Sequence, residues 1–258
     1  MPTISLSSVV VALAGSAASA AASTPKAPTW KTYFYPAVVG YHCVEAIAVN
    51  TAGSSGTETL TVTAVSRRSG ATHFTVAQKG TTTVSGASVP SIGLLHYVIT
   101  GGGELEDNTS SVNVGSINGG VSGVTNLGTV AKLVAGASVT SVLHVVEPLS
   151  ASEIKDLQGV LPSGQTSLHA TLTMASRGTN VATLNIPLGT LHHVLEVKAD
   201  ISHISFTNLV KGASSVLAKD LHSQFDSLLD YTTWYAPGLG PVQVDAAGLT
   251  VDASSCTR

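Results

Sequence analysis

The chain reads as a mainly β protein built as one domain over residues 33–258, with one longer helix at about 214–229 and a short one at about 151–159. Three observations carry that expectation. Apolar and hydroxyl residues alternate with a period of two in several stretches, the spacing of a half-buried strand. Charged residues are only 10% of the chain, well under the roughly 25% usual in soluble domains. Their place is taken by Thr, Ser, Gly, Ala and Val, so that hydroxyls cover the wet face of a sheet. Short turn clusters separate the alternating runs: RRSG at 67–70, a glycine triplet at 101–103 and RGTN at 177–180.

TETLTVTAV, residues 57–65, points Leu60, Val62 and Ala64 one way and its threonines the other. After RRSG, ATHFTVAQK at 71–79 returns with Phe74 and Val76 inward, which completes a hairpin. SIGLLHYVIT at 91–100 is a further strand. Residues 102–128 are rich in Gly, Ser and Asn and read as a long loop with weak strands. ASVTSVLHVVEP at 137–148 is β-branched and apolar. Ser150 followed by Glu153 makes a capping box, which starts the short helix. SLHATLTMAS at 167–176 alternates, with Leu168, Ala170, Leu172 and Met174 inward, and RGTN is read as the turn that ends it. Residues 181–206 form the longest strand-like stretch, broken at Pro187–Gly189 because proline removes a ladder donor. From 209 to 230 the apolar spacing changes to three and four, through Val216, Leu217, Leu221, Phe225, Leu228 and Leu229, and predicts the longer helix. Strands resume at TTWYAP and PVQVDAAGLTV. In the first of these Trp234 and Tyr235 face opposite sides, and Pro237, Gly238 and Gly240 set a tight turn.

The first residues suggest export. Residues 5–23 hold a short apolar centre followed by small residues, with small-x-small sites at 18–20 and 20–22, so 1–22 read as a signal peptide and 23–32 as a linker. Leu13-Ala14-Gly15-Ser16 resembles a lipobox, but Ser16 stands where the lipid-bearing Cys belongs. The expectation is a secreted or cell-envelope protein without a lipid anchor. The net charge of −3 and the absence of a basic cluster larger than Arg67-Arg68 argue against a nucleic-acid partner. No apolar run approaches the roughly 18 residues a spanning helix needs.

Two cysteines occur, Cys43 and Cys256. In an oxidising compartment an even pair predicts a disulfide; two buried free thiols are the alternative. Cys256 lies five residues past Val251, the last strand-like apolar position, so a short tail would reach back to Cys43. The loop closed would be about 213 residues (256 − 43), for which the chain-entropy relation gives at most roughly 5 kcal/mol.

Three stretches line up in order: YFYPAVVGYHC at 33–43, LNIPLGTLHHVLEV at 184–197 and TTWYAPGLGPVQVD at 232–245. Together they resemble a group of uncharacterised exported bacterial proteins. The group's pattern is a Tyr-Tyr-Pro then Gly-x-x-Trp start, a central Val-Pro-Ala-Gly-Thr-Phe hairpin and a Trp-Tyr-Ala-Pro-Gly-Val-Gly end. Trp234, Tyr235, Ala236, Pro237, Gly238 and Gly240 match the end, with Leu239 for Val. Pro187, Gly189 and Thr190 match the centre, with Leu188 and Leu191 for Ala and Phe. Tyr35, Pro36 and Gly40 match the start, but Cys43 stands in place of Trp, a departure that favours the bridge. The resemblance implies a curved, half-barrel-like antiparallel sheet similar to that of periplasmic lipoprotein carriers. It implies no activity.

Candidate chemistry is sparse. No nucleophile elbow, HExxH, P-loop or dinucleotide glycine pattern is present, so no catalytic residue, metal ligand or cofactor is assigned. Among nine histidines the densest group is His192, His193 and Glu196. On a strand His192 and Glu196 would lie roughly 13 Å apart, too far to share an ion unless the strand bends; a zinc site completed by His144 or His169 is the alternative to surface histidines on a Thr-rich sheet, which explain them. Asn108-Thr109-Ser110 is a glycosylation sequon, read as chance. The function expected is that of an exported, non-enzymatic protein. It would bind a lipid or other hydrophobic ligand in a concave sheet, under the 214–229 helix as a lid. The alternatives are a histidine-dependent metal hydrolase and a structural or surface-adhesion protein.

Overall fold

The structure is a computed structural model that describes residue 33 and residues 36–49, 54–84, 86–107, 111–114, 117–213, 231–246 and 248–257. The expected signal peptide, linker and Ser16, Tyr35 of the opening motif, the sequon at 108–110 and the 214–229 helix all lie outside these residues. Thirteen strands are described. They are β1 (His42–Val49), β2 (Ser55–Arg68), β3 (Ala71–Val84), β4 (Ala87–Ile99), β5 (Glu104–Asp107), β6 (Ser111–Val114), β7 (Ile117–Thr129), β8 (Val139–Pro148), β9 (Ser167–Ile186), β10 (Gly189–Phe206), β11 (Tyr231–Ala236), β12 (Gly240–Ala246) and β13 (Leu249–Thr257). Two short helices interrupt them, α1 (Val130–Val134) and α2 (Ala151–Asp156).

Strand pairs are antiparallel throughout, and most chain neighbours are also neighbours in the sheet. The circuit closes on itself. β13 pairs with β1, β1 with β2, β2 with β3 and β3 with β4. β4 then reaches β7 through β5, and through a second short contact with β6. The sheet is therefore mainly antiparallel and barrel-like, as expected, and wraps further than a half-barrel. Closure reduces the exposed ladder edges that an open sheet must protect, and the junction is thinnest where β4 meets β5 over Tyr97–Ile99 and β6 at Ser91.

Local chemistry explains most of the elements. Ser69 and Gly70 both have positive φ, +50° and +78°, which makes a two-residue hairpin turn whose twist suits the flanking strands. A bulge between Val62 and Ala64 shifts the register of β2. Leu60 and Val62 are buried as expected, but Ala64 turns outward and Val65 takes its place against the core. The side chain of Ser150 accepts from the Glu153 N–H, and Glu153 accepts from the Ser150 N–H at 2.7 Å, so the capping box forms and starts α2. The helix stops at Asp156, three residues short of the expected end.

Three expectations are corrected. The RGTN segment does not turn; residues 177–180 continue through β9. Gly178 is there for close approach, since a Cβ on it would lie 2.6 Å from both the Cβ and the carbonyl oxygen of Leu133 in α1. The described residues from Glu104 on in the 102–128 segment are strand rather than loop, forming β5, β6 and most of β7; ladder pairing holds these strands where apolar periodicity is absent. Cys256 sits within β13 rather than on a tail beyond it, because that strand runs on to Thr257. The break at Pro187–Gly189 is a hairpin turn joining β9 to β10, with Gly189 at φ +130°. Helix α1 is too short for any periodicity to reveal; Thr129 caps it by accepting from the Lys132 N–H.

The main core lines the interior between β1–β5, β10–β13 and α1, with Leu60, Val76, Leu133, Leu195 and Val242 fully buried. A second cluster joins β8–β12 around Leu172, Met174 and Ile204. A small third one joins Ile47, Val244 and Val251.

Candidate functional site

The three motif stretches converge at one end of the interior. His193 takes a left-handed φ of +57° in β10, a conformation His adopts more readily than β-branched residues. Its carbonyl accepts from the Tyr33 hydroxyl at 2.6 Å. Beyond it the tip of the β9–β10 hairpin packs Leu184, Ile186, Leu188 and Leu191 against the main core. The Leu188 N–H donates to the Ala253 carbonyl of β13 at 3.0 Å. In the closing motif the Leu239 N–H donates back to Ala236, with Gly238 at φ +75° and Gly240 at φ +88°. The Leu239 carbonyl accepts from the Tyr41 hydroxyl at 3.4 Å. Opening, central and closing motifs thus meet through backbone acceptors.

Within the closing motif, Tyr235 is buried opposite Leu195, and Trp234 is half-buried, paired with Glu196 and Gln243 and packed against the main core. Pro237 and Gly238 lie in the turn to β12, which Gly240 begins. These residues shape the end of the sheet.

Cys43 and Cys256 are direct cross-strand partners on β1 and β13, and both are buried with no disulfide between them. The Cys43 thiol donates to the Tyr41 hydroxyl oxygen at 3.8 Å. Burial, then the hydrogen bond and charge of Cys256, push the Cys43 thiol far above its ordinary pKa.

Along the same inner wall the chemistry turns polar. Glu45 and Glu58 are cross-strand partners, and Glu58 pairs onward with Gly80, which pairs with Ser91. Both carboxyls are almost wholly buried, at 3% and 2% exposure. Glu58 accepts from the Gln78 amide at 2.7 Å and from the Ser91 hydroxyl at 3.2 Å, and it hydrogen-bonds with Glu45. Gly80 makes the room, since a Cβ there would lie 2.6 Å from the Glu58 Cα and the Thr57 carbonyl oxygen. Burial raises the Glu58 pKa, and the bonds from Gln78, Glu45 and Ser91 offset part of that rise. The two carboxyls are in hydrogen-bond contact in a buried setting that disfavours the charged form of Glu58. The sequence reading passed over this group. Its signal was present: Glu58 shares the parity of Leu60 and Val62, and Glu45 shares that of Cys43 and Ile47.

The histidines are dispersed into threonine and serine contacts. His144 pairs with Thr171, His169 with Ser167 and His192 with Thr183. Glu196 instead meets Lys198 at 3.2 Å. Among the described residues no three His, Cys, Asp or Glu side chains group to hold a metal ion, and no helix is long and apolar enough to cross a membrane.

What fold and site define together is an antiparallel β-barrel-like meander with an apolar interior, a buried thiol pair and a buried carboxyl pair. No known family matches the chain, and no curated protein does. Among solved structures it is similar to a Bacteroides fragilis chain described as a "putative exported protein with YmcC-like fold", at 9% identity and a TM-score of 0.49, covering 88% of this chain and 100% of that one. It is also similar to a chain from Parabacteroides distasonis described as a "putative lipoprotein", at 12% identity and a TM-score of 0.49, covering 88% and 99% respectively.

Proposed function

We propose that this chain is an exported, non-enzymatic binding protein whose β interior holds a lipid or another hydrophobic molecule. The observation that carries the reading is the size and chemistry of the circuit. Setting aside β6, which adds a side pairing, twelve strands (13 − 1) close around an interior lined mostly by Leu, Val, Tyr and Phe. About eight strands already make a barrel that side chains just fill or that holds one small ligand, and larger circuits enclose more space. Apolar sites with few polar groups suit ligands recognised by burial rather than by charge. The signal-like N-terminal stretch and the low charge support export.

Purification from an exporting bacterial host, followed by organic-solvent extraction and mass spectrometry, tests the reading. A stoichiometric hydrophobic species is expected. An empty extract together with no uptake of a hydrophobic fluorescent dye would contradict it.

A further inference from the structure

The first and last strands of the circuit meet at one seam, and the two cysteines of the chain face each other across it. Cys43 and Cys256 are in direct register, one step from a β-bulge between Val44 and Glu45. Residues opposed in an antiparallel pair have Cα atoms about 4.5 or 5.5 Å apart, depending on the hydrogen-bonding site. Both values fall inside the roughly 4.4–6.8 Å that a disulfide requires. The thiols already lie within hydrogen-bonding contact. No other pair of strands in the circuit can be joined in this way, because no other cysteine exists.

We propose that Cys43 and Cys256 oxidise to a cross-strand disulfide that locks β1 to β13 and seals the circuit covalently. The oxidant is an external disulfide, either a small molecule or a protein. One cysteine thiolate, exposed when the seam parts, attacks that disulfide, expels one thiolate and forms a mixed disulfide. The second cysteine, as thiolate, attacks the mixed bond and expels the other half. Two cysteine thiols lose two protons and two electrons, and the external disulfide is reduced to two thiols. Exposures of 1% for Cys43 and 3% for Cys256 keep oxidant and reductant out while the seam is closed. The bridge therefore forms as the strands assemble and resists reduction afterwards.

In the cell the bridge needs an oxidising compartment, so there it rests on the export reading; in the test tube it does not. The full chain is reduced in denaturant and refolded in a mixture of reduced and oxidised glutathione. It is then acid-quenched and alkylated in denaturant without reductant. The expected product has lost two hydrogens, takes up no alkylating agent and yields one linked peptide pair containing Cys43 and Cys256. Its thermal midpoint lies above that of the reduced chain, and a Cys43→Ala/Cys256→Ala variant loses this redox dependence. Two alkylated cysteines per chain, or glutathione on both, would overturn the bridge. If it forms in vitro while chain taken from the native host with thiols blocked at lysis carries two free thiols, the bridge stands and the export reading falls.

Discussion

Two regions share the inner face of the β1–β4 wall and its seam, and they are held by different forces. At the motif end, tyrosine hydroxyls reach backbone carbonyls and the β9–β10 tip brings four apolar side chains onto the core. A short step along β1, from Cys43 to Glu45, the same wall carries two buried carboxyls, an amide and a hydroxyl. The contacts of the first region include no carboxyl that titrates between acid and neutral pH, and lost volume should disturb it most. The second is sensitive to protonation and to any added atom at Gly80. The difference teaches that an inner face of uniform parity need not be uniform in chemistry, provided a glycine opposite gives the polar group its space.

The largest effect should come from the apolar region. Leu195 is fully buried opposite Tyr235, and Leu195→Ala should cost about 2–5 kcal/mol of stability in denaturant titration. A cost below about 1 kcal/mol would mean that this end is loosely packed and the contrast with the carboxyl row misdrawn.

Next comes Gly80→Ala, expected to cost about 1–3 kcal/mol through overpacking against the Glu58 backbone. Gly93→Ala should cost less, because its nearest neighbour is the Gln78 amide oxygen at 3.1 Å, which needs to give by only a few tenths of an ångström, and no backbone atom is as near. Equal costs would show that the carboxyl row is not held rigidly by Gly80.

The pH response separates the two regions directly. The folded chain keeps Glu58 protonated to higher pH than the unfolded chain does, chiefly because it is buried. Its contribution is therefore fully present below the ordinary carboxylate pKa and is lost as pH rises through the raised value. Glu147 and Asp252, raised by burial and by the nearby carboxyls of Glu153 and Asp245, add with the same sign. Stability measured by chemical denaturation should fall from acid towards neutral pH, and Glu58→Gln should flatten that fall. A slope unchanged by Glu58→Gln would remove the carboxyl pair from the account. At the other end Tyr33→Phe, which loses the bond to His193, should cost about 0.5–1.5 kcal/mol with no change in the pH slope.

Much of this was legible from residue order. Alternation located β2, β3, β4 and β8, and the Ser150–Glu153 pair marked the start of α2. In the closing motif Tyr235 is buried and Trp234 is half-buried, packed against the main core. The misses have specific causes. Gly178 looked like a turn residue but serves a helix crossing, a contact distant in sequence. The strands β5–β7 are held by ladder bonds in a Gly-rich stretch that has no apolar period to read. The carboxyl pair was hidden because acids are expected on the wet face, although the parity of Glu58 and Glu45 put them inside. Circuit closure depends on pairing β13 with β1, a partnership that no apolar pattern specifies and that only the expected Cys43–Cys256 adjacency pointed to.

The central claim is that the apolar interior accepts a hydrophobic guest, and a titration tests it most directly. The purified full chain, stripped of co-purified material by solvent or mild denaturant and refolded, is titrated with an environment-sensitive fluorescent fatty acid. Saturable binding near one site per chain is expected, with a blue-shifted emission and displacement by an unlabelled long-chain fatty acid. A linear, non-saturating signal that no competitor reduces would contradict the claim and leave the barrel a solid, packed structure.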